Sequence, residues 1–275
     1  MGIKISVCGK GGSGKSTLVG LLANAAQARG LTTLVVDSDE SNSGLYRMLG
    51  LDKPPTPLMA LVGGKEGIKE KMDQPSLLSE SELTLEQIPY PYVNQKNGLR
   101  LLSIGKIHQA LEGCACPMGV LSREFLKKLR LGRNEIAIVD MEAGIEHFGR
   151  GIDNNIDAVL VVVEPSFESI ALAEKIKDLA SSINKKLWAV LNKTSSESLI
   201  AEIKAKLQTS GMETIGVISY DASVFFSGLK GDTLSRGRAT RQAAEILDSL
   251  LPAIKNWNMA NQRRRPKKHC LSNKL

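Results

Sequence analysis

A glycine-rich loop near the N-terminus constrains the fold of this chain more than any other feature. The segment Gly9-Lys10-Gly11-Gly12-Ser13-Gly14-Lys15-Ser16 fits the spacing G-x-x-x-x-G-K-[ST]. The segment 3–8 before it, with apolar residues at Ile3, Ile5 and Val7, predicts a strand. An apolar stripe at helical spacing follows it, at Leu18, Leu21, Leu22 and Ala25. Because glycines let backbone N–H groups turn toward an anion, and lysine and serine suit phosphate and Mg²⁺, the segment predicts a nucleotide phosphate site.

The remainder of the chain alternates predicted strands with helical stretches. Further strands are predicted at 32–36, 99–104, 136–140, 158–163, 187–191 and 214–218, and helices at 167–183 and 197–209. This alternation predicts an α/β fold, with a mostly parallel sheet and helices on both faces. Only 4% of the residues are aromatic, so the core is expected to be aliphatic.

The domain boundaries follow from composition. One domain is expected over residues 1–255, and its stretch 52–97, rich in proline and glycine, is predicted to be an irregular insertion with short helices. The final helix is expected to end near Pro252 to Asn256. The net charge is +7, and residues 256–275 carry six of those charges and no acid, which leaves +1 for residues 1–255. The basic segment 256–275 is therefore predicted to be a disordered tail.

A second lysine, Lys10, makes the loop more specific. A lysine directly after the first glycine resembles the deviant P-loop of a large ATPase class that includes nitrogenase iron proteins, partition ATPases and cell-division site regulators. The resemblance implies a P-loop NTPase sheet and a Lys10 that reaches the partner's nucleotide across a dimer. A second cation then spreads stabilisation over the transferred phosphoryl group. A solvated loop lysine is the alternative. The predicted nucleotide-binding residues of the loop are Gly9, Lys10, Gly11, Gly12, Ser13, Gly14, Lys15, Ser16 and Thr17.

Acidic residues follow two predicted strands, where ligands of open α/β sheets gather. By the same resemblance, Asp39 orients the attacking water within a first switch at residues 37–44. The predicted catalytic residues are Lys10, Lys15 and Asp39. Asp140 closes the apolar run 136–139 and resembles the Walker B aspartate, which holds Mg²⁺ through water. A turn or helix-capping aspartate is the alternative for Asp140.

Three other positions complete the predicted site for MgATP. Ser16 is expected to offer its hydroxyl to Mg²⁺, and Gly144 to place its N–H near the γ-phosphate. Asn192 can pair with the amino group and N7 of adenine. A guanine site of the N-K-x-D type needs a carboxylate where this chain has Ser195, so adenine is favoured. A polar residue that closes a strand is the alternative for Asn192.

Two cysteines lie close together in a loop of glycine and proline, Gly113-Cys114-Ala115-Cys116-Pro117. A closed tetrahedral thiolate site needs four ligands, and a twofold dimer supplies two from each chain. Cys114 and Cys116 are therefore predicted to bind Ni²⁺, or Zn²⁺, in a site shared across a homodimer. Two inert buried thiols or a redox pair are the alternatives.

The segments 112–117, 140–147 and 164–166 together resemble the nickel-insertion ATPases that mature carbon monoxide dehydrogenase. The resemblance implies an ATP-controlled dimer with metal on the paired C-x-C and carbon monoxide dehydrogenase as the client. A nitrogenase-type iron protein would place a cluster cysteine just after Walker B, and Met141 to Gly144 contain none. His108 and His147 are candidates to assist metal transfer, with a structural histidine as the alternative.

Cysteine usage and the N-terminal sequence predict a cytoplasmic protein, since the four cysteines form no dense framework and the first residues lack a long apolar signal region. The principal expectation is an ATP-hydrolysing metallochaperone. Its first rival is a partition or positioning ATPase whose basic tail contacts DNA or membrane, a contact not favoured here. Its second rival is a nickel storage or sensor protein that binds ATP without turnover.

Overall fold

The computed structural model describes residues 2–41, 44–71, 78, 80–106, 116–234 and 237–264. The strands are β1 (Ile3–Gly9), β2 (Thr32–Asp37), β3 (Val93–Lys96), β4 (Leu99–Ser103), β5 (Glu135–Asp140), β6 (Ala158–Val163), β7 (Leu187–Thr194) and β8 (Thr214–Ser219). The α-helices are α1 (Lys15–Ala28), α2 (Leu45–Met48), α3 (Gly64–Lys71), α4 (Cys116–Lys128), α5 (Glu146–Gly149), α6 (Phe167–Ser182), α7 (Glu197–Thr209), α8 (Ala222–Lys230) and α9 (Arg238–Arg264). Short 3₁₀ helices lie at Leu58–Val62, Leu85–Gln87 and Ile152–Asn155.

The described strands form one eight-stranded sheet in the order β3-β4-β2-β5-β1-β6-β7-β8. All neighbouring strands are parallel except β3 and β4, which are antiparallel. The predicted α/β fold with a mostly parallel sheet is thereby confirmed. Strand β3 was missed because its residues, Val-Asn-Gln-Lys, are polar and partly exposed at the edge of the sheet, where a strand needs no continuous apolar run.

Two aliphatic cores enclose the sheet, one on each face. All six residues of β6 are buried, and they alternate between the two cores. Val159, Val161 and Val163 face the core that α4, α6 and α7 complete, while Leu160 and Val162 face the core completed by α1 and α9. This double burial explains why the central strands read as continuous apolar runs in the sequence.

Helix α9 is longer than the sequence predicted. It continues through Pro252 to Arg264, so the expected end near 252–256 was wrong and residues 256–264 are helical. An internal proline removes one helical hydrogen bond, but Leu250 and Ile254 are both fully buried and hold the helix against the core on either side of it. Among the helices in the described residues, none combines the length and apolarity needed to cross a membrane.

Candidate nucleotide-binding site

The phosphate loop joins the end of β1 to the start of α1 at the carboxyl edge of the sheet. Gly14 precedes α1 as its N-cap with a φ of 99°, and a Cβ there would overlap the Asn192 side-chain nitrogen. Only glycine fits such a position without strain. The N-cap makes no side-chain hydrogen bond, and the first turn of α1 holds no acid. The N–H groups at this helix start therefore suit an anion.

Both lysines of the loop lie at this edge. Lys15 is only 6% exposed, and its Nζ donates a hydrogen bond to the Lys10 carbonyl at 3.4 Å. Lys10 is more open, since 36% of its side chain is exposed. A buried cation at a helix N-terminus can neutralise phosphate charge strongly, because little water screens it. The more exposed cation is free to turn outward.

Two buried aspartates face each other at the ends of neighbouring strands. Asp37 of β2 and Asp140 of β5 are direct partners in the strand register. Burial raises the pKa of Asp140 to about 7, against the opposing effects of Ser16 and Lys15. Burial likewise raises the pKa of Asp37 to about 6, although Lys106, which lies 2.7 Å from its Oδ2, opposes the shift. Two carboxylates this close and this buried favour a cation between or beside them.

The donors present fit Mg²⁺. Neither carboxylate oxygen of Asp140, nor Oδ1 of Asp37, has a hydrogen-bond partner of normal geometry in the described part of the chain. The Ser16 hydroxyl lies close enough to Asp140 to lower its pKa. Hard oxygen donors of this kind are those that Mg²⁺ prefers. Ser16 and Asp140 are thus brought together as the sequence predicted, and can hold the ion that accompanies a nucleotide.

The predicted switch residues are engaged within the chain. The Asp39 carboxylate accepts hydrogen bonds from the Ser41 N–H at 2.9 Å and the Ser41 hydroxyl at 2.6 Å. Gly144, with a φ of 100°, donates its N–H to the Gly9 carbonyl at 3.3 Å. Gly144 thus contacts the phosphate loop directly, and its N–H must leave the Gly9 carbonyl to reach a γ-phosphate as the sequence predicted.

Asn192 lies against the phosphate loop rather than apart from it. It is 8% exposed, and its Nδ2 donates to the Ser13 carbonyl at 2.8 Å. A cavity of about 330 Å³ opens beside it. The cavity is lined by residues of α1, β7, β8 and α8, including Gly14, Thr17, Asn192, Tyr220, Val224 and Phe225. Its place next to the helix α1 N-terminus, with Asn192 in its lining, suits a nucleobase.

Sequence reasoning missed the aromatic side of this cavity. Tyr220 and Phe225 are 55% and 53% exposed, and their ring centroids lie 6.5 Å apart. Exposed aromatic rings beside an apolar cavity suit stacking with a planar ligand. The available signal was their position directly after β8, since ligands of open α/β sheets gather beyond the carboxyl ends of strands.

The structure tests little of the predicted cysteine site. Cys114 and His108 lie outside the described residues, and Cys116 is described only as the first residue of the α4 backbone. His147 is completely buried, and its Nδ1 pairs with Asp153 Oδ2 at 2.6 Å. Ser6 donates to the other oxygen of Asp153 at 3.1 Å, which favours the structural alternative for His147. The described residues include no group of three or more His, Cys, Asp or Glu suited to a metal ion.

Helix α4 contacts both acidic segments. The Ser122 hydroxyl lies 2.9 Å from the Ser38 hydroxyl, directly after β2. Arg150 pairs with Glu142, which follows β5, and its side chain packs against Gly119 so closely that a Cβ there would overlap it. The helix that begins at Cys116 is therefore packed against the segments that carry Asp39 and Asp140.

The parallel α/β sheet, together with the phosphate site at its carboxyl edge, defines a P-loop ATPase with two lysines in its phosphate loop. Residues 5–234 match the family described as the CobQ/CobB/MinD/ParA nucleotide binding domain. The chain belongs to that family, and its enzymatic class is that of the MinD/ParA-type P-loop ATPases.

Individual relatives agree with this assignment. An uncharacterised ATP-binding protein of Methanocaldococcus jannaschii is 43% identical over 85% of this chain and 94% of its own length. The carbon monoxide dehydrogenase accessory protein CooC of Rhodospirillum rubrum is 30% identical over 81% of this chain and 85% of its own. The solved structure of the septum site-determining protein MinD of Pyrococcus horikoshii, complexed with Mg-ADP, has a TM-score of 0.69 at 16% identity, covering 93% of this chain and 99% of that one. This last likeness concerns the fold alone.

Proposed function

We propose that this ATPase is a dimeric metallochaperone that carries nickel, or a similar thiophilic ion, to a carbon monoxide dehydrogenase-like enzyme. The observation that carries the proposal is the position of α4, which begins at Cys116 and packs against both acidic segments of the nucleotide site. The likeness to CooC at 30% identity supports the client. A change at the nucleotide is thus expected to reach α4, whose first residue is Cys116.

We assign the ATPase step to residues of the phosphate loop and of the segments that follow β2 and β5. Water attacks the γ-phosphorus, the bond to the β-γ bridging oxygen breaks, and ADP and phosphate form. Lys15 neutralises the phosphate charge from its own chain, and Lys10 adds charge from the partner. Asp39, once released from Ser41, orients the water. Ser16 and Asp140 hold Mg²⁺, which supplies charge neutralisation at the phosphates when bound.

The base and loop contacts position the nucleotide for this step. The Asn192 Nδ2 stabilises the phosphate loop by its hydrogen bond to the Ser13 carbonyl. Its Oδ1 accepts a hydrogen bond from the adenine amino group. Gly144 gives its N–H to the γ-phosphate after leaving the Gly9 carbonyl. Departure of Gly144 and Asp39 from their present partners pulls on the segments that touch α4, and so changes the position of the cysteine pair.

The cargo is bound by thiolates from two chains. Cys114 and Cys116 provide half of a tetrahedral shell, so one ion requires the dimer. If ATP and metal both favour that dimer, each tightens the other by the same factor. The metal is then held while ATP is bound and released to the client after hydrolysis.

The test combines metal content with assembly in a variant that traps ATP. Asp39→Ala should bind ATP, hydrolyse it slowly and accumulate as a dimer in sedimentation, with one nickel for two chains. A full-length chain that sediments as a monomer with ATP and nickel would contradict the proposal. Tight binding to DNA that weakens steeply with salt, without metal, would instead favour the partition ATPase. Metal and ATP binding with no turnover in the unsubstituted chain would favour the storage or sensor protein.

A further inference from the structure

Glu164 lies between two lysines at the mouth of the phosphate loop. It directly follows β6, and its Oε1 is 3.4 Å from the Lys10 Nζ. Its Oε2 is 3.1 Å from the Lys193 Nζ, which also donates to the Gly12 carbonyl. One carboxylate therefore bridges the more exposed lysine of the loop and a lysine that follows the predicted base-binding Asn192.

The Glu164 side chain is less exposed than that of Lys10, and two hydrogen bonds fix its backbone. The Glu164 side chain is 18% exposed, while 36% of the Lys10 side chain is exposed. Glu164 accepts a backbone hydrogen bond from Ser166, the N-cap of α6, at 2.7 Å. Its own N–H donates to the Ser169 hydroxyl at 3.1 Å. Because the Glu164 side chain is less exposed and has a second cation in Lys193, a change in the ion pair is expected to move Lys10 rather than Glu164.

The charge state of Glu164 fits this arrangement. Burial opposes its ionised form, but hydrogen bonds and charge from Lys193 and Lys10 outweigh burial and lower its pKa. Lys193 is itself constrained, with a φ of 58°, a left-handed conformation that a lysine adopts only when its surroundings impose it. The Lys193 Nζ lies closer to the carboxylate than the Lys10 Nζ does, at 3.1 Å against 3.4 Å, and so compensates the charge of Glu164 when Lys10 departs.

We propose that Glu164 is a positioning residue that holds Lys10 on its own chain until a nucleotide on a second chain draws it away. The inference rests on the proposed function, in which Lys10 acts across the dimer. A partly exposed pair at 3.4 Å is weak enough to exchange, because phosphate offers the ammonium more charge than one carboxylate. Glu164 thus opposes dimerisation before ATP is bound.

The test uses Glu164→Gln and a matched control on the same lysine. Glu168 is 4.0 Å from the Lys10 Nζ, and 70% of its side chain is exposed, so Glu168→Gln removes an acid near Lys10 without touching the bridge. The first measurement is the concentration of a non-hydrolysable ATP analogue that gives half-maximal dimer in sedimentation. Glu164→Gln should lower this concentration about 3- to 10-fold, and Glu168→Gln should change it less than about twofold. The Glu164→Gln effect should vanish in a Lys10→Ala background.

A second measurement separates this inference from the dimer itself. An amine-reactive reagent followed by mass spectrometry reports how fast Lys10 is modified in the nucleotide-free chain. Release from Glu164 should increase that rate about 3-fold or more in Glu164→Gln and leave it unchanged in Glu168→Gln. An unchanged rate, or an unchanged or higher midpoint concentration in a chain that does dimerise, would overturn the positioning role. A chain that stays monomeric while Lys10 is released as expected would contradict only the proposed dimer.

Discussion

The phosphate loop and the cysteine segment each follow a strand of the same sheet in the sequence. They differ in how many of the ligands that each site needs come from a single chain. The loop from Gly9 to Ser16 is a contiguous strand-loop-helix connection, braced by Asn192 from β7. The pair Cys114 and Cys116 offers two ligands where a closed thiolate site needs four. All residues of the phosphate loop therefore come from one chain, whereas the proposed thiolate site would need ligands from a second chain. The comparison teaches that the loop can be tested in a single chain, and the proposed metal site only in an assembly.

The strongest test of this difference removes the central cation of the loop. Lys15→Ala should lower ATP turnover by about 10²- to 10³-fold, because a nearly buried charge at the β/γ-phosphates is lost. The steady-state ATPase rate measures the effect. If the phosphate loop and the cysteine segment act independently, Lys15→Ala without nucleotide should bind nickel with the same affinity as the parent without nucleotide.

An exposed lysine supplies the control for that experiment. Lys206 lies on α7 with 57% of its side chain exposed, and Lys206→Ala should leave turnover within about twofold. Normal turnover in Lys15→Ala would contradict the assignment of the loop. Loss of apo metal binding in the same variant would break the separation of the two regions.

The reciprocal change removes both thiols. Cys114→Ser/Cys116→Ser should weaken nickel binding by more than about 100-fold, since loss of supporting outer-shell groups alone costs ~10–100-fold. ATP turnover without metal should stay within about twofold of the parent. Metal titration with sedimentation measures both affinity and stoichiometry, and the parent should saturate at one ion for two chains.

Two results would contradict the shared site. One is saturation of the parent at one ion per monomer, and the other is unchanged affinity in the double variant. Zn²⁺ should compete with Ni²⁺, because a four-thiolate shell suits it equally. Affinity should fall as the pH falls, since thiolate ligation releases protons.

The nucleotide site should also destabilise the protein that bears it. Burial raises the pKa of Asp140 from 3.8 to about 7, so the folded state binds the proton more tightly than the unfolded state. The free energy of unfolding of the Mg²⁺-free protein should therefore fall as pH rises from about 4 to about 7. Asp140→Asn should lose the part of this slope between about pH 6 and pH 7 and gain about 2–4 kcal/mol at pH 7.5, while ATP turnover falls.

Urea unfolding at several pH values measures this effect. Asp178 is 77% exposed, and Asp178→Asn should leave the slope unchanged. Asp37, whose pKa burial raises to about 6, should account for the slope that remains below about pH 6. A slope between pH 6 and pH 7 that persists in Asp140→Asn would assign that part of the pH dependence to other groups.

The sequence could predict the features that are set locally, and it could not predict those that depend on contacts between distant segments. Buried parallel strands such as β6 are continuous apolar runs, so the sheet and its order of strands and helices were visible. Edge strand β3 lacked that signal, and α9 continued past Pro252 because burial of Ile254 outweighed a local helix breaker. Asn192 was predicted as a base contact, but its bond to Ser13 depends on how distant β7 meets the loop. Glu164 lay in a segment of the family resemblance, but its pairing with Lys10 and Lys193 is set by the tertiary fold, as is the position of Phe225 beside the cavity.

The smallest effects on ATP turnover and nickel binding are expected from truncations at the C-terminal end, which belongs neither to the phosphate loop nor to the cysteine segment. Truncation after Arg264 removes the residues that follow α9, and it should leave both ATP turnover and nickel stoichiometry within about twofold of the parent. Truncation after Lys255 goes further and removes Trp257, which is half-buried with its ring 5.9 Å from the Lys186 Nζ. That shorter chain should lose about 1–2 kcal/mol of unfolding free energy yet keep its turnover below the unfolding temperature.

Comparing the two truncations sharpens the boundary of the ATPase domain, which the sequence predicted at residue 255. Unfolding curves and ATPase rates measured on the same samples separate a loss of stability from a loss of catalysis. Suppose that only the truncation after Lys255 abolishes turnover, at a temperature where the chain remains folded. The last turns of α9 then belong to the catalytic unit, and the predicted boundary was too early. If both truncations keep turnover but lose nickel, the basic segment contributes to the cysteine site, which would then no longer depend on Cys114 and Cys116 alone.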